Sequence, residues 1–163
     1  MGLGDMFLKI EGAKQGLIKG ESKDTSHKDE IDVVSWSWGM QSHTSIQSGS
    51  SSGKTSISEL VVTKHADKAS TAIMICLRNN EIIKKATLTV RKAGQSPLEY
   101  LKIVLEQARI VSFSTTGGSA EGGPDVKETL ALAFKKISVE YVPQGDDGQA
   151  LGSTSFETEL LPG

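Results

Sequence analysis

A serine- and glycine-rich segment, SGSSSGKTS at residues 48–56, carries the residue types best suited to chemistry in this chain. Its Gly-Lys-Thr ending is similar to that of a phosphate-binding loop, whose backbone N–H groups surround the phosphates. That loop needs four residues between its glycines, but only three separate Gly49 from Gly53. The segment after it, TSISELVVTK, is rich in β-branched residues and favours a strand where the loop requires a helix. We therefore predict a flexible polar loop between two strands and no nucleotide cofactor.

The other candidates for chemistry are three histidines and one cysteine. His27, His43 and His65 lie in three separate segments, without the close ligand spacing of a zinc site. We expect all three at the surface and no bound metal. Cys76 falls on an apolar stripe, where a thiol packs as a small hydrophobic group and is a poor nucleophile. No catalytic motif is present, so we predict no catalytic residues and no enzyme activity.

Trp36 and Trp38 stand two residues apart in a strand-like segment, on one face. We expect both in the core. The alternative is a stacking platform for sugars, which would make the protein a secreted β-sandwich carbohydrate-binding module.

Length and charge limit the possible functions. The 163 residues fit a single domain, 1–163, which is long enough to bury a core. The net charge of -2, from 18 Lys and Arg against 20 Asp and Glu, gives no basic footprint, so we expect no nucleic-acid partner. No apolar run approaches the ~20 residues of a membrane span, and the N-terminus lacks the pattern of a cleavable signal peptide. We therefore expect no membrane insertion.

Alternation of apolar and polar residues dominates the chain and predicts strands. The residues expected on buried strand faces are Met6, Leu8, Ile10, Val34, Trp36, Trp38, Met40, Ala86, Leu88, Val90, Leu130, Leu132, Phe134, Ile137, Val139 and Tyr141. The alternation changes phase near Val33 and Val34, which indicates a bulge or a strand covered on both faces. A second phase change, across Lys135 and Lys136, indicates a bulge or a strand turning a barrel corner.

One segment, residues 65–79, has the period of a helix with a buried stripe. The stripe consists of Ala69, Ala72, Ile73, Cys76 and Leu77. Asp67 suits the N-cap, and Asn79 with Asn80 suits the end. Local pattern therefore predicts a mainly β protein with one helix.

Residues 98–114 fit two structures. Ser96, Pro97 and Glu99 have the spacing of a capping box with proline at the first helical position, which slightly favours a helix. The aromatic and β-branched residues that follow favour a strand. Segments rich in Gly and Ser predict loops at residues 43–54, 115–124 and 143–155.

Five ordered segments together resemble one known family. They are GDMFLKIEG, HKDEIDVVSWSWGMQ, ISELVVTKHADKASTAIMICLRNNEIIKKATLTVRKAG, YLKIVLEQARIVSFSTTGG and ETLALAFKKISVEYV. The family is the haemolysin-coregulated protein (Hcp) family of bacterial type VI secretion, and the resemblance runs from about Gly4 to Val142. Its most specific parts are SWSWG at 35–39, with the lead-in at 27–31, and the strand-to-helix join at 63–67.

The resemblance implies a small β-barrel of two packed sheets with one flanking helix at about 65–79, and it makes residues 98–114 a strand. It also implies a homohexameric ring that stacks into a tube, which a contractile sheath drives out of the cell behind a spike protein. Effector proteins are held in the ring lumen. The protein would then occupy the bacterial cytoplasm before it is secreted without a cleavable signal, and the absence of a further domain implies a plain tube subunit.

The resemblance also gives the serine-rich segment a role. In this family the long loop after the tryptophan-containing strand meets the adjoining ring, and residues 43–54 match that loop. A weakly charged Gly/Ser tip can adapt to a neighbour's edge without burying unpaired charge. The expected ring-stacking residues are Ser48, Gly49, Ser50, Ser51, Ser52, Gly53 and Lys54.

Overall fold

A computed structural model describes residues 5–43, 54–92, 98–147 and 149–160. Within these residues the elements in chain order are β1 (Met6–Gly12), β2 (Gly16–Ile18), β3 (Ile31–Asp32), β4 (Ser35–Ser37), β5 (Met40–Ser42), β6 (Thr55–Ile57), β7 (Leu60–His65), α1 (Ser70–Arg78), β8 (Ile83–Arg91), β9 (Glu99–Ala120), β10 (Gly123–Ala133), β11 (Lys136–Tyr141) and β12 (Thr154–Glu159). The predicted mainly β fold with one helix is confirmed.

The strands form two sheets that share one long strand. Sheet 1 has the order β2-β1-β8-β9-β11-β12, with β3 also beside β1, and sheet 2 has the order β4-β7-β10-β9. Strand β9 contributes residues 99–108 to sheet 1 and residues 109–120 to sheet 2. Gln107, at the junction, has a φ of 51°, in the left-handed region. All the pairings are antiparallel.

Both predicted phase changes mark places where the chain passes from one sheet to the other. Strand β3 pairs with β1 in sheet 1, whereas β4 pairs with β7 in sheet 2, so Val33 and Val34 connect the two sheets. Likewise β10 lies in sheet 2 and β11 in sheet 1, so the second phase change is a corner. The alternation of apolar and polar residues changes phase at these places, because the side chains that face the core have the opposite parity once the chain enters the other sheet.

The core fills the space between the sheets and under the helix. Most of the predicted inward residues are buried there, with Leu8, Ile10, Leu88, Leu130, Leu132 and Ile137 at 1% exposure or less. Val34, Met40 and Tyr141 were expected on buried faces but are 38%, 56% and 47% exposed. Val34 lies in the link between the sheets, Met40 lies in β5, which belongs to neither sheet, and Tyr141 is the last residue of β11.

The helix is shorter than the 65–79 segment predicted. It begins at Ser70, because Lys64 and His65 continue the ladder of β7 opposite Glu128 and Lys127. The predicted N-cap, Asp67, lies two residues before the observed N-cap, Ala69. Its carboxylate still accepts a hydrogen bond from the Ala69 N–H at 2.9 Å. The predicted end is correct, since Asn79 is the C-cap and Asn80 has a φ of 52°.

Residues 98–114 form a strand from Glu99 onward, as the resemblance implied. The expected loop at 115–124 is wrong: β9 continues to Ala120, a turn occupies residues 121–122, and β10 starts at Gly123. Gly and Ser weaken a strand locally, but an unbroken ladder from Gly123↔Ala120 to Ala131↔Ser112 overrides that preference. Within the expected loop at 143–155, residues 143–147 and 149–153 form no strand, and β12 starts at Thr154.

A buried ion network joins β7, α1 and β10. The Lys64 side chain has no exposed surface, and its Nζ lies 2.8 Å from Glu128 Oε1 and 2.8 Å from Asp67 Oδ1. The Ser70 hydroxyl donates to Glu128 Oε1 at 2.8 Å and accepts from Lys64 Nζ at 3.3 Å. The three donors of the ammonium therefore each have an acceptor, which burial of a charge requires.

The segment between β2 and β3 covers the outer side of β1. The His27 ring stacks on Phe7, with centroids 4.4 Å apart. Its two nitrogens lie 3.0 Å from Glu30 Oε1 and 2.6 Å from Glu99 Oε2. His27 is 8% exposed, so its expected surface position is wrong. The segment that contains it has few apolar residues, so the local pattern did not indicate that it packs over Phe7.

Arg91 ties this covering segment to sheet 1 and makes its attachment sensitive to acid. The guanidinium donates to Asp24 at 2.6 and 3.1 Å, and this lowers the pKa of Asp24 from 3.8 to about 2. Because the folded-state pKa is depressed, the stabilisation is present above pH ~4 and is lost as the pH falls towards 2. We expect the free energy of unfolding to fall by at most about 2 kcal/mol over this window, since Asp24 is partly exposed. Urea unfolding from pH 5 to pH 2 should show this loss in the parent and a smaller one in Asp24→Asn; equal losses would contradict it.

Candidate functional site

The outward side of sheet 2 is lined by small hydroxyl side chains, and we call it the hydroxyl face. Ser35, Thr63, Thr129 and Ser114 form one row across its four strands, and Ser37, Val61, Ala131 and Ser112 form the next. The Thr63 and Thr129 hydroxyls are 3.3 Å apart. Residues of opposite parity, such as Val62 and Leu130, are buried in the core. This face can offer many weak hydrogen bonds, with little charge and no large apolar side chain.

The charged groups that adjoin the hydroxyl face lie at its two ends, with Arg109 opposite Ala133 at one end and a cluster of three residues at the other. His65 is opposite Lys127, and its Nδ1 is 3.0 Å from Asp125 Oδ1. A depression beside them is lined by Thr116, Gly118 and Lys127, among others. It is open and shallow, so it offers no enclosed site for a small ligand.

The outward side of sheet 1 is different, and we call it the charged face. One row crosses five strands with alternating sign: Glu11, Lys85, Glu106, Lys136 and Glu159. Lys136 Nζ lies 2.7 Å from Glu157 and 3.7 Å from Glu106. Opposite charges on neighbouring strands stabilise a sheet by roughly 0.2–1 kcal/mol per pair and keep its face hydrated. The two sheets therefore present chemically distinct outer surfaces.

A two-stranded arm stands apart from both sheets. Strands β5 and β6 pair with each other and with no other described strand. The His43 N–H donates to the Lys54 carbonyl at 2.7 Å and extends the pairing by one step. Met40, Gln41, Ser42, Thr55 and Ser56 are exposed on this arm. Ile57, on the same arm, packs against the core.

Of the expected ring-stacking residues, Lys54 alone belongs to the described part of the chain. Lys54 is exposed and immediately precedes β6, whereas residues 48–53 lie outside the described residues. The chain after Lys54 enters a strand, as expected, and not the helix that a phosphate-binding loop requires. The stacking role remains a prediction.

The two tryptophans do not form an open platform. Trp36 and Trp38 are half-buried and pack against the core, and Trp38 Nε1 is inaccessible to solvent. A sugar-binding surface needs exposed indole faces, so this geometry disfavours the carbohydrate-binding alternative.

Cys76 behaves as expected. It is 1% exposed on the buried side of α1, and burial raises the pKa of its thiol to about 11, so it stays protonated at neutral pH. Among the described residues no group of three or more His, Cys, Asp or Glu is placed to hold a metal ion. Nor does the described part of the chain contain a helix long and apolar enough to cross a membrane.

Comparison with known proteins identifies the family of this chain. The family model described as "Type VI secretion system effector, Hcp" matches residues 7–141. The chain is 42% identical to protein hcp1 of Pseudomonas aeruginosa over 148 residues, which cover 88% of this chain and 86% of that protein.

Solved structures agree with the fold. A type VI secretion system effector from Yersinia pestis superposes with a TM-score of 0.75 at 31% identity, covering 96% of this chain and all of that one. Hcp1 from Salmonella typhimurium gives 0.74 at 32% identity, covering 95% and 93%. With a family model over most of its length and a relative above 40% identity, this chain belongs to the Hcp family of type VI secretion proteins.

Proposed function

We propose that this protein is the tube subunit of a type VI secretion machine, in which six copies close into a ring and rings stack into a tube. The observation that carries the proposal is the family match over residues 7–141, which spans the elements from β1 to β11. The protein acts by assembly rather than by catalysis. It is made in the bacterial cytoplasm and leaves the cell through the machine itself.

The hydroxyl face suits the lumen of such a ring. A channel that passes different proteins must hold them weakly, and short hydroxyl side chains can form hydrogen bonds without strong charge or large apolar contact. The lumen would hold effector proteins as cargo. The charged face would then point outward, where a contractile sheath surrounds the tube, and a spike protein would close its tip.

The arm suits the contact between stacked rings. Its two strands belong to neither sheet, and residues 48–54, which lie between them in the sequence, are rich in Gly and Ser with Lys54 as the single charge. Such a tip can follow the contour of a neighbouring ring without desolvating several charges. We therefore assign Ser48 to Lys54 to ring stacking within this proposal.

The test is the mass of the purified protein by size-exclusion chromatography with light scattering, followed by negative-stain microscopy of the same peak. We expect about 104 kDa, six times the chain mass of 17.4 kDa, and ring-shaped particles. A monomer without rings at every concentration tested would contradict the proposal. In that case the similarity would report the fold alone.

A further inference from the structure

The hydroxyl face carries two exposed cations that have no charge partner. Arg109, on β9, lies opposite Ala133 at one end of the face, and Lys127, on β10, lies opposite Thr116 towards the other end. Both side chains are exposed, and neither forms an ion pair or a side-chain hydrogen bond with any residue that the structure describes. Ala133 and Lys127 are six residues apart on β10, so the two cations stand roughly 20 Å apart.

The carboxylates that flank the face leave both cations without neutralisation. At the Arg109 end, Glu59 precedes β7, but the exposed Lys135 follows β10 and offsets it. At the other end, Glu121 lies in the turn after β9, five residues beyond Thr116. Five residues span roughly 17 Å along a strand, which exceeds the screening length of about 8 Å at physiological salt. The positive charge of this face therefore stays available to a ligand.

Lys127 borders a depression that can take an acidic side chain. Thr116 and Ser119 contribute to the lining of this depression and bring two hydroxyls to it. Asp125 also lines it, but its Oδ1 is 3.0 Å from His65 Nδ1, so this carboxylate already has a partner. A depression too open to enclose a small ligand can still receive one carboxylate side chain of a large one, with an ammonium and hydroxyls as donors.

The charged face offers no comparable site, because its charges alternate in sign. Lys136 Nζ lies 2.7 Å from Glu157 and 3.7 Å from Glu106. Neighbouring opposite charges cancel at a distance, whereas like charges that line a concave surface add together and concentrate ligands of the opposite sign. Only the hydroxyl face therefore gains strength as a charged surface when several copies enclose a channel.

We propose that the lumen of the ring prefers acidic proteins as cargo, whose surface carboxylates are bound by Arg109 and Lys127 of each copy. This rests on the proposed ring, with the hydroxyl face lining its lumen, and it names the class of cargo. Each exposed ion pair is weak, so the cargo is held by many such pairs at once and no single one fixes it. A nucleic acid fits less well, because the described outward residues of this face include no tryptophan, tyrosine or phenylalanine on which bases could stack.

Peptide binding to the assembled ring tests this preference. The fluorescence anisotropy of labelled decaglutamate is measured at about 50 mM salt, where screening is weak, and labelled decalysine gives the opposite sign of charge. We expect the parent ring to bind decaglutamate more tightly than decalysine. In Arg109→Gln/Lys127→Gln the dissociation constant for decaglutamate should rise about tenfold, because one peptide contacts several of these cations together.

The matched control, Lys84→Gln/Lys85→Gln, removes two exposed cations from β8 in sheet 1 and should leave the dissociation constant unchanged. Substitutions at exposed positions rarely disturb folding, and light scattering shows whether each variant still forms rings. The single variants Arg109→Gln and Lys127→Gln are measured in parallel, in case the double substitution blocks assembly.

Weaker binding of decaglutamate by the hydroxyl-face variants, with none in the control, supports the inference. Equal weakening in the control, a parent ring that binds no decaglutamate, or a parent ring that binds decalysine or single-stranded decathymidine more tightly would overturn it and leave the proposed function standing. Loss of rings in every hydroxyl-face variant would assign the two cations to assembly and overturn it as well. If the parent protein forms no rings, both the inference and the proposed function fail.

Discussion

Replacing Glu128 by leucine is expected to lower the free energy of unfolding by about 4 kcal/mol. Glu128 is 2% exposed and accepts hydrogen bonds from both Lys64 and Ser70. Without its carboxylate the fully buried Lys64 ammonium keeps one anionic partner, Asp67, and lies against a new apolar side chain. Urea unfolding at a fixed protein concentration, followed by circular dichroism, measures the change. Fixed concentration matters because assembly itself adds stability.

Two variants separate the loss of a charge partner from other effects. In Lys64→Met/Glu128→Leu the two most deeply buried charges are gone, and Asp67 keeps its hydrogen bond from the Ala69 N–H. We expect stability to return to within about 1 kcal/mol of the parent, because apolar residues often replace a buried pair without loss. Glu140→Leu removes an exposed carboxylate on β11 and should change stability by about 0.5 kcal/mol or less. If Glu128→Leu alone lowered the free energy of unfolding by less than about 1 kcal/mol, the result would show that water reaches Lys64.

This network lies at the strand-to-helix join at residues 63–67. Lys64 belongs to β7, Ser70 opens α1 and Glu128 belongs to β10, so one ammonium fixes the helix to two strands of sheet 2. The family resemblance singled out this join, whereas the local residue pattern indicated only that a helix begins nearby. The alternation of residue types alone does not show whether a lysine is buried or exposed.

The sheets and the helix were predictable because side-chain alternation has a fixed period. Leu8, Leu88 and Leu130 each lie on an alternating face, and all three are buried. The phase changes were visible too, and the second was interpreted as a bulge or a barrel corner, but local pattern could not decide between the two. Which sheet a strand joins depends on partners far along the chain, and local pattern does not contain them.

The errors share one physical origin, which is tertiary contact overriding local preference. Residues 115–124 have loop composition, yet they complete β9 and open β10 because each strand supplies the other's hydrogen bonds. His27 looked like a surface residue among charged neighbours, but it packs on Phe7 between two carboxylates. In both cases the deciding partner is distant in sequence.

The candidate surfaces were only partly visible in advance. The segment at residues 48–54 stood out through its composition, whereas the hydroxyl face did not. Its signal is nevertheless present, since Ser35 and Ser37 alternate with Trp36, and Ser112 and Ser114 alternate with Phe113. Small hydroxyl residues on one parity of several strands indicate a shared polar face only when the strand order is known, because rows form across strands and not along them.

The second large effect is expected at Gly20, where Gly20→Ala should lower the free energy of unfolding by about 3 kcal/mol. A Cβ at this position would lie 2.6 Å from the Glu30 carbonyl oxygen and 2.8 Å from the Ile31 Cα. Both atoms belong to the backbone, and Ile31 is fixed because β3 pairs with β1 and its side chain is fully buried. In Gly20→Ala the backbone at residue 20 must therefore move away from residues 30 and 31, where the covering segment meets sheet 1.

Gly39→Ala is the matched control, because a Cβ at Gly39 would meet no heavy atom within 4 Å. We expect unchanged stability or a gain of up to about 1 kcal/mol, since alanine restricts the unfolded chain. Thermal and urea unfolding of the two variants, side by side, measure the difference. Equal free energies of unfolding for Gly20→Ala and Gly39→Ala would show that the backbone contact between residues 20 and 30 can widen without loss of stability. A loss confined to Gly20→Ala would show that the covering segment, which carries His27 and Asp24 onto β1, is held by close backbone contact as well as by its ion pairs.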